Sequence, residues 1–209
     1  MPCGLFGKLP AKRDFIAVNI PQEFLTVWET WLQGGLSASK IALAKDWLPS
    51  YLSAPLWRFW LGAGVCGLPV TGVIMSSVDG VGRHFPLTVF ACGEASDIFA
   101  LPAENTNAAW YEGAEDFVLN TLEPDMDYAA TIDALDKLPL PARSPAPLAD
   151  AGITDVMRAT VVSVTAPEQL PEGCARLETE ERRRIYHDRA YFWTVGGENF
   201  HPACIMSQG

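Results

Sequence analysis

Residues 72–91, GVIMSSVDGVGRHFPLTVFA, place two apolar segments on either side of a polar connection that contains glycine. Residues 73–75 and 87–91 are short, rich in β-branched or aromatic side chains, and bounded by Gly or Pro, which is typical of buried strands. Gly80 and Gly82 permit positive φ angles, so the connection can turn tightly. The stretch therefore predicts two core strands joined by a polar turn.

The polar turn gathers side chains that are candidates for a functional site. One interpretation is a hydrolase, because a catalytic triad needs a nucleophile, a base and an orienting carboxylate. Against it, no Gly-x-Ser-x-Gly elbow is present, and residues of one turn rarely hold triad geometry. The candidates are Ser76, Ser77, Asp79, Arg83 and His84, with Asp14 approaching from the first loop.

Two other interpretations of this turn remain open. In the first, Arg83 and the N–H groups around Gly80 and Gly82 hold an anion, such as a phosphate or a partner's carboxylate. In the second, Asp79 caps the turn, Arg83 pairs with a carboxylate such as Asp14, and the cluster only fixes the loop geometry.

The same stretch resembles the TagF family (also called ImpM) of type VI secretion-associated proteins. In that family a strand, a Ser-Val-Asp-x-Val-Gly-Arg turn and a Phe-Pro-Leu-Thr strand follow one another, as residues 77–83 and 85–88 do here. The resemblance is most specific over residues 4–92. Further matching blocks occur in the expected order at residues 4–10 (GLFGKLP), 14–16 (DFI), 47–52 (WLPSYL), 54–59 (APLWRF) and 192–196 (FWTVG).

The sequence departs from the family pattern near the turn. Arg13 replaces a small residue, and Ser76 and Gly80 stand where Pro and Arg are more usual. The resemblance implies a three-layer sandwich and a cytoplasmic accessory protein of a type VI secretion system. It also implies post-translational repression of assembly or firing, in some systems through a forkhead-associated scaffold protein and opposite a kinase and phosphatase pathway.

Length and composition indicate one domain with a sizeable core, because the chain has 209 residues and is 49% hydrophobic. We expect residues 1–138 to form the core with the signature motifs, residues 139–148 a proline-rich loop, and residues 149–209 strands that complete the sheet. No apolar run is long enough for a membrane span, and residues 1–10 lack a signal-peptide pattern. The sequence thus predicts a soluble, cytoplasmic protein without membrane insertion.

The net charge of −10 is concentrated in one segment. Residues 94–150 hold twelve acidic side chains against Lys137 and Arg143, so the remainder of the chain is neutral. This acidic block argues against nucleic-acid binding and favours a basic protein partner. Alternatively, it is an ordinary solvated helical surface.

The cysteines and histidines do not indicate a metal or cofactor. The five cysteines form no Cys-x-x-Cys pair, so we expect reduced, mostly buried thiols. His84, His187 and His201 lack metal-ligand spacing, and no glycine-rich segment carries the Lys-Ser/Thr of a phosphate-binding loop. Consequently no cofactor is expected.

Hydrophobic periodicity predicts the first elements of secondary structure. A helix should begin at Pro21 and bury Phe24, Trp28, Trp31 and Leu32, with Gly34 and Gly35 kinking it or ending it before Lys40. Three strands over residues 56–66, 70–77 and 85–92 should form an antiparallel meander, because their connections are too short for parallel crossovers.

The second half should add helices and further strands. We expect amphipathic helices over residues 107–122 and 128–138, the second capped by Asp125 or Asp127. Strands at residues 159–164 and 191–195 should extend the sheet, with a charged helix or loop around residues 178–189. With helices on both faces, the prediction is an α/β fold: a three-layer α/β/α sandwich with a mixed, largely antiparallel sheet.

Overall fold

A computed structural model of the chain describes residues 1–94, 97–144, 153–156, 159–197 and 200–208. Three short 3-10 turns occur within these ranges, at Ala44–Asp46, Pro102–Glu104 and Pro167–Gln169. The strands are β1 (Gly4–Lys8), β2 (Phe15–Val18), β3 (Trp57–Leu61), β4 (Val70–Met75), β5 (Leu87–Cys92), β6 (Ile98–Phe99), β7 (Arg143–Ser144), β8 (Ile153–Val156), β9 (Ala159–Val162), β10 (Arg189–Thr194) and β11 (Ala203–Gln208). The helices are α1 (Gln22–Leu43), α2 (Trp47–Leu52), α3 (Ala63–Cys66), α4 (Ala108–Asn120), α5 (Tyr128–Lys137) and α6 (Leu170–Tyr186).

A seven-stranded sheet forms the centre of the molecule, in the order β11-β10-β3-β4-β5-β1-β2. The predicted meander β3-β4-β5 is confirmed, as is the α/β fold class. The sheet is antiparallel at every pairing of described strands, so the parallel pairing that a mixed sheet would contain does not occur there. Residues 62–66 do not prolong β3 as predicted, because the chain turns into the short helix α3 instead.

Both faces of the sheet are covered, and alternate residues of each strand belong to two separate cores. Since neighbouring strand residues point to opposite faces, this alternation places α1 on one side and the α4–α5 pair on the other. The first core joins strand residues Phe6, Phe59, Val70 and Phe90 to Phe24, Trp28 and Leu32 of α1. The second joins Leu5, Trp60, Val73 and Val89 to Trp110, Tyr111, Phe117 and Val118 of α4 and Leu135 of α5.

Helix α1 is longer than its sequence predicts. It continues through Gly34 and Gly35 to Leu43, so the predicted end of the helix before Lys40 is wrong. Each glycine costs about 1 kcal/mol of helix propensity relative to alanine, but the packed turns before them and Lys40 near the negative end of the helix dipole offset that cost. Trp31, predicted to be core, is 49% exposed.

Helices α4 and α5 form where the apolar period predicts them. The Asp127 carboxylate accepts a hydrogen bond of 2.8 Å from the backbone N–H of Ala130, which is the predicted helix cap. The buried residues of α4 are Trp110, Tyr111, Ala114, Phe117 and Val118.

The C-terminal strands divide between two sheets. β10 pairs with β3 and β11 with β10, so the strand predicted at residues 191–195 does extend the main sheet. The one predicted at residues 159–164 does not: β9 pairs with β8 in a separate hairpin, because a nearby segment offers a local partner. In the expected proline-rich loop, Arg143–Ser144 pair with Ile98–Phe99, and residues 145–148 lie outside the described ranges.

None of the described helices is both long enough and apolar enough to cross a lipid bilayer.

Candidate functional site

A tight turn between β4 and β5 carries the polar residues singled out in the sequence. The backbone N–H of Asp79 donates to the carbonyl of Arg83 (3.1 Å), and the N–H of Gly82 donates to the carbonyl of Asp79 (3.0 Å). Gly82 has a φ of 84°, in the left-handed region where other residues are strained. Val78 and His84 form an antiparallel bridge that closes the base of the turn.

Asp79 points into the protein and holds the turn from inside. One carboxylate oxygen accepts from the backbone N–H groups of Val81 (3.0 Å) and Arg83 (2.9 Å). The other accepts from Lys8 Nζ and from Arg83 Nε, both at 2.7 Å. Asp79 is only 4% exposed, and Lys8 is equally buried. Four charge-assisted or turn-type bonds therefore converge on one carboxylate.

The charge of Asp79 follows from these bonds. Burial by itself raises the pKa of a carboxyl group, because it removes water from the charged form. Here the hydrogen bonds from Lys8, from the backbone and side chain of Arg83, and from Val81 outweigh burial and hold the pKa of Asp79 well below its ordinary value. The group stays ionised in the folded protein and neutralises the buried Lys8 ammonium.

Ser77 is fixed beneath the turn by two other segments. Its hydroxyl donates to the carbonyl of Lys8 at 2.8 Å. The hydroxyl of Tyr51 donates to the Ser77 carbonyl (2.9 Å) and accepts from the Ser77 N–H (3.0 Å). Burial raises the pKa of Tyr51 to about 12, so its proton stays available for this bond. Ser77 thus ties β4 to β1 and α2.

His84 lies against aromatic rings and not against the Ser77 hydroxyl. Its ring makes edge contacts with Trp47 (5.6 Å between centroids) and Tyr51 (5.5 Å). Those two rings stack on each other at 5.0 Å, and Lys40 Nζ lies over Trp47. A hydrolase would need His84 on the serine oxygen, and this arrangement places it elsewhere.

The loop-geometry interpretation expected Arg83 to pair with a carboxylate such as Asp14, and Arg83 does pair with a carboxylate, but not with that of Asp14. It pairs with Asp79 and donates a further hydrogen bond to the carbonyl of Arg13. Asp14 is exposed, and its side chain forms no hydrogen bond or ion pair with the described residues. The structure therefore brings Ser77, Asp79, Arg83 and His84 into one turn and leaves Asp14 beside it.

Two residues that complete the site were missed by the sequence interpretation. Lys8 ends β1 and reaches Asp79 across 71 positions of sequence. Tyr51 reaches the turn from α2 through its bond to the Ser77 carbonyl. A signal was available, because both lie in segments that carry the family resemblance, residues 4–10 and 47–52.

The outer side of the turn differs from its interior. The Val81 side chain is 54% exposed, and the Arg83 side chain is similarly exposed beyond its bond to Asp79. On α2, whose Trp47 and Tyr51 contact His84, Leu48 and Leu52 also face solvent. A fixed turn therefore presents apolar side chains and one cation outward.

The bonded interior limits the chemistry that the site can perform. Both cations, Lys8 and Arg83, are paired with Asp79, whose negative charge opposes an incoming anion. Within the described ranges, no three His, Cys, Asp or Glu side chains group as metal ligands would. The arrangement is suited to holding a surface in one shape.

Many side chains of the acidic block have structural partners. Glu115 forms a bidentate pair with Arg58 at 2.7 and 2.8 Å, and Asp97 pairs with Arg143 at 2.9 Å. Glu104 pairs with Arg182 of α6. Part of the block therefore stabilises the fold and is not a free acidic surface.

Comparisons with known proteins agree with these observations. Residues 4–138 match the family of TagF N-terminal domains, which is described as type VI secretion system-associated. The crystal structure of PA0076 from Pseudomonas aeruginosa PAO1 is similar to this chain, with 30% sequence identity and a TM-score of 0.78. That similarity covers 99% of this chain and 88% of the Pseudomonas chain. No curated protein matches the sequence.

Proposed function

Because the chain belongs to the TagF N-terminal domain family of type VI secretion system-associated proteins, we propose that it regulates such a system through protein contacts, without catalysis. The protein acts in the cytoplasm after the secretion components have been made. It binds one of them and keeps it from assembling or firing, so its effect is repression. The proposed contact surface is the outer side of the 77–84 turn together with α2.

The observation that carries this proposal is the contrast between the two sides of the turn. Inside, one buried carboxylate receives four bonds from three residues, which fixes the backbone. Outside, Val81 and the Arg83 side chain are exposed. A preformed surface loses little conformational entropy when a partner binds, which favours recognition. A rigid turn with an exposed outer side therefore suits a docking role.

The polar groups of the turn support the non-enzymatic part of the proposal. The Ser77 hydroxyl is buried and bonded to a backbone carbonyl, so it is poorly placed as a nucleophile. His84 contacts aromatic rings and does not act as a base toward it. The alternative, a hydrolase or anion-binding protein that uses Ser77, Asp79, Arg83 and His84, has no comparable support.

The partner that we propose is a component of the secretion machinery, with a forkhead-associated scaffold protein as the first candidate. Arg83 and the exposed leucines of α2 suit a partner surface with an apolar centre and an acidic rim. Nucleic acid is a poor partner, because the chain carries a net charge of −10 and would repel phosphates.

Affinity capture from cells that contain the secretion system tests this proposal. Wild-type protein should retain a secretion component, and Val81→Asp should lose most of it, because a carboxylate at the centre of an apolar contact must be desolvated. Val195→Asp is the matched control, since Val195 is exposed to a similar degree in another part of the fold. Equal capture by both variants would show that the turn is not part of the contact surface.

A turnover screen separates the alternative function. Hydrolysis of ester or phosphoester substrates by the purified protein, abolished by Ser77→Ala in a folded variant, would replace the proposal with an enzyme. We expect no turnover above the uncatalysed rate.

A further inference from the structure

The last strand of the main sheet is an open edge. β11 has β10 as its one strand neighbour within the described part of the chain, and all six of its residues are exposed. In an antiparallel pair, alternate residues direct their N–H and C=O groups away from the neighbouring strand. β11 therefore presents a row of backbone donors and acceptors toward solvent.

The two edges of the sheet differ in how they are protected against another chain. Edge strands are commonly kept short, charged or interrupted by proline or a distortion. β2 has four residues, follows the charged Asp14, and is followed by Asn19, where φ is 52°. β11 has six residues with the sequence ACIMSQ, which contains neither a charge nor a proline. The β11 edge carries none of the protection seen at β2.

An apolar row of side chains leads across the sheet to this edge. Ile205 lies directly opposite Phe192 of β10, so both point to the side of the sheet that α1 covers. Phe192 stacks on Trp31 with 5.0 Å between ring centroids, and Trp31 stacks on the buried Trp28. The row continues to Ile205, which is 53% exposed, and ends there in solvent.

The distribution of charge on this chain decides where two copies of it can approach each other. Each copy carries a net charge of −10, so most approaches of two copies bring acidic surfaces together. Among the described residues 189–197 and 200–208, the hairpin of β10 and β11 contains no acidic side chain, and its basic side chains are Arg189 and His201. The β11 strands of two copies, with the sequence ACIMSQ, can therefore pair without placing carboxylates of this strand opposite one another.

We propose that β11 pairs with β11 of a second copy, antiparallel and about a two-fold axis that passes between the two Ile205 residues. A two-fold axis perpendicular to a sheet places one residue opposite its own copy and keeps like faces on the same side. With Ile205 at the axis, the two isoleucines face each other and the Phe192 rows of the copies become continuous. The two sheets then form one antiparallel sheet.

The size of this contact sets its expected strength. A contact made by the six residues of β11 in each copy is small compared with the roughly 1,200–2,000 Å² that stable specific interfaces bury. A dimer of this kind should be weak and should form with increasing concentration.

Sedimentation velocity of the full chain over a concentration series tests the pairing. The wild type should shift from monomer toward dimer, and Ile205→Lys should raise the dimer dissociation constant at least tenfold, because a lysine at the axis faces its own copy. Ile41→Lys is the matched control, since Ile41 is 83% exposed on α1 and lies outside the proposed contact. Circular dichroism establishes that each variant is folded.

Cysteine cross-linking tests the register without relying on a disruptive variant. In a Cys204→Ser background, Ile205→Cys should form an inter-chain disulfide on mild oxidation, because opposite residues of paired strands have their β-carbons about 5 Å apart. Met206→Cys should not, since its two copies would lie two positions out of register and beyond the roughly 7 Å limit between α-carbons.

Three results would overturn the proposal. A wild-type protein that stays monomeric at all concentrations would leave the edge to a strand of another protein or to further residues of the same polypeptide. Ile205→Lys and wild type with equal dissociation constants would place any dimer contact elsewhere. Cross-linking at position 206 and not at 205 would exclude the proposed axis.

Discussion

Lys8 and Asp79 form a buried salt bridge of 2.7 Å although 71 positions of sequence separate them. The pair joins the end of β1 to the turn that follows β4, so the shape of the proposed contact surface depends on the first strand of the sheet. Arg83 closes the same carboxylate from the solvent side. The turn is therefore a product of tertiary structure and not of its local sequence alone.

Loss of Lys8 should destabilise the protein. Lys8→Met keeps an unbranched side chain, one atom shorter, but removes one donor from the buried carboxylate, and hydrogen bonds to charged groups contribute about 1.5–3 kcal/mol each. Urea denaturation should show a decrease in the free energy of unfolding within that range. Lys45→Met is the matched control at an exposed position and should change it by less than about 0.5 kcal/mol. Equal effects of the two variants would contradict the buried pair.

Asp79 should make stability depend on pH in the acid range. Its pKa is depressed in the folded state, so the unfolded chain takes up a proton first, near pH 4, while the folded protein keeps the carboxylate charged. The stabilisation is therefore complete above about pH 5 and is lost progressively as the pH falls below about 4. The other carboxyl groups contribute equally to the pH dependence of stability in wild type and in Asp79→Asn.

The difference in unfolding free energy between these two proteins isolates Asp79. Measured by denaturation between about pH 2.5 and pH 6, it should be largest at the upper end of that range and narrow toward the lower end. A difference that stays constant over the whole range would contradict a depressed pKa for Asp79.

Two glycines should respond to alanine in opposite directions. Gly7 has a φ of 131°, and an added β-carbon would lie 2.0 Å from the carbonyl oxygen of Pro86, so Gly7→Ala should destabilise by about 1–3 kcal/mol or more. Gly34 lies in α1 with no atom within 4 Å of an added β-carbon, so Gly34→Ala should stabilise by about 0.5–1 kcal/mol. Thermal denaturation of both variants checks the signs. A destabilising Gly34→Ala would indicate that α1 does not continue as a regular helix beyond that point.

The cysteines should differ in reactivity according to burial. Cys174 and Cys204 are exposed, whereas burial raises the pKa of Cys3 and Cys66 to about 11 and that of Cys92 to about 12. A thiol reagent at pH 8 should modify two thiols quickly in dilute folded protein, and all five after denaturation. Rapid modification of a third thiol without denaturant would contradict the described core.

Local patterns in the sequence predict those elements whose stabilisation is itself local. The apolar period of α4, the cap at Asp127 and the β3-β4-β5 meander follow from residues close in the chain. The partner of a strand does not follow in the same way: an apolar run such as Ala159–Val162 indicates a strand, but not that it pairs with the neighbouring Ile153–Val156 and stays outside the main sheet. The strands β2 and β11 were missed because they are short or expose most of their side chains.

In the candidate site, too, the features that depend on residues close in the chain were predicted and those that depend on contacts with other elements were not. The turn and most of its polar residues were predicted from one continuous stretch, because glycine and aspartate mark turns locally. The roles of those residues could not be predicted from that stretch, because Lys8 and Tyr51 contact the turn from other elements. Arg83 does pair with a carboxylate, but with Asp79 of the same turn and not with Asp14, because Asp79 is directed inward by its own backbone contacts.

Secretion measured in living cells tests the central claim, that the outer side of the turn represses a type VI system by binding one of its components. In a strain that lacks this protein, release of a secreted component should rise, and wild-type protein supplied in trans should lower it again. Val195→Asp should repress as wild type does, whereas Val81→Asp at equal abundance should leave release as high as in the deletion strain. Full repression by Val81→Asp would contradict the claim.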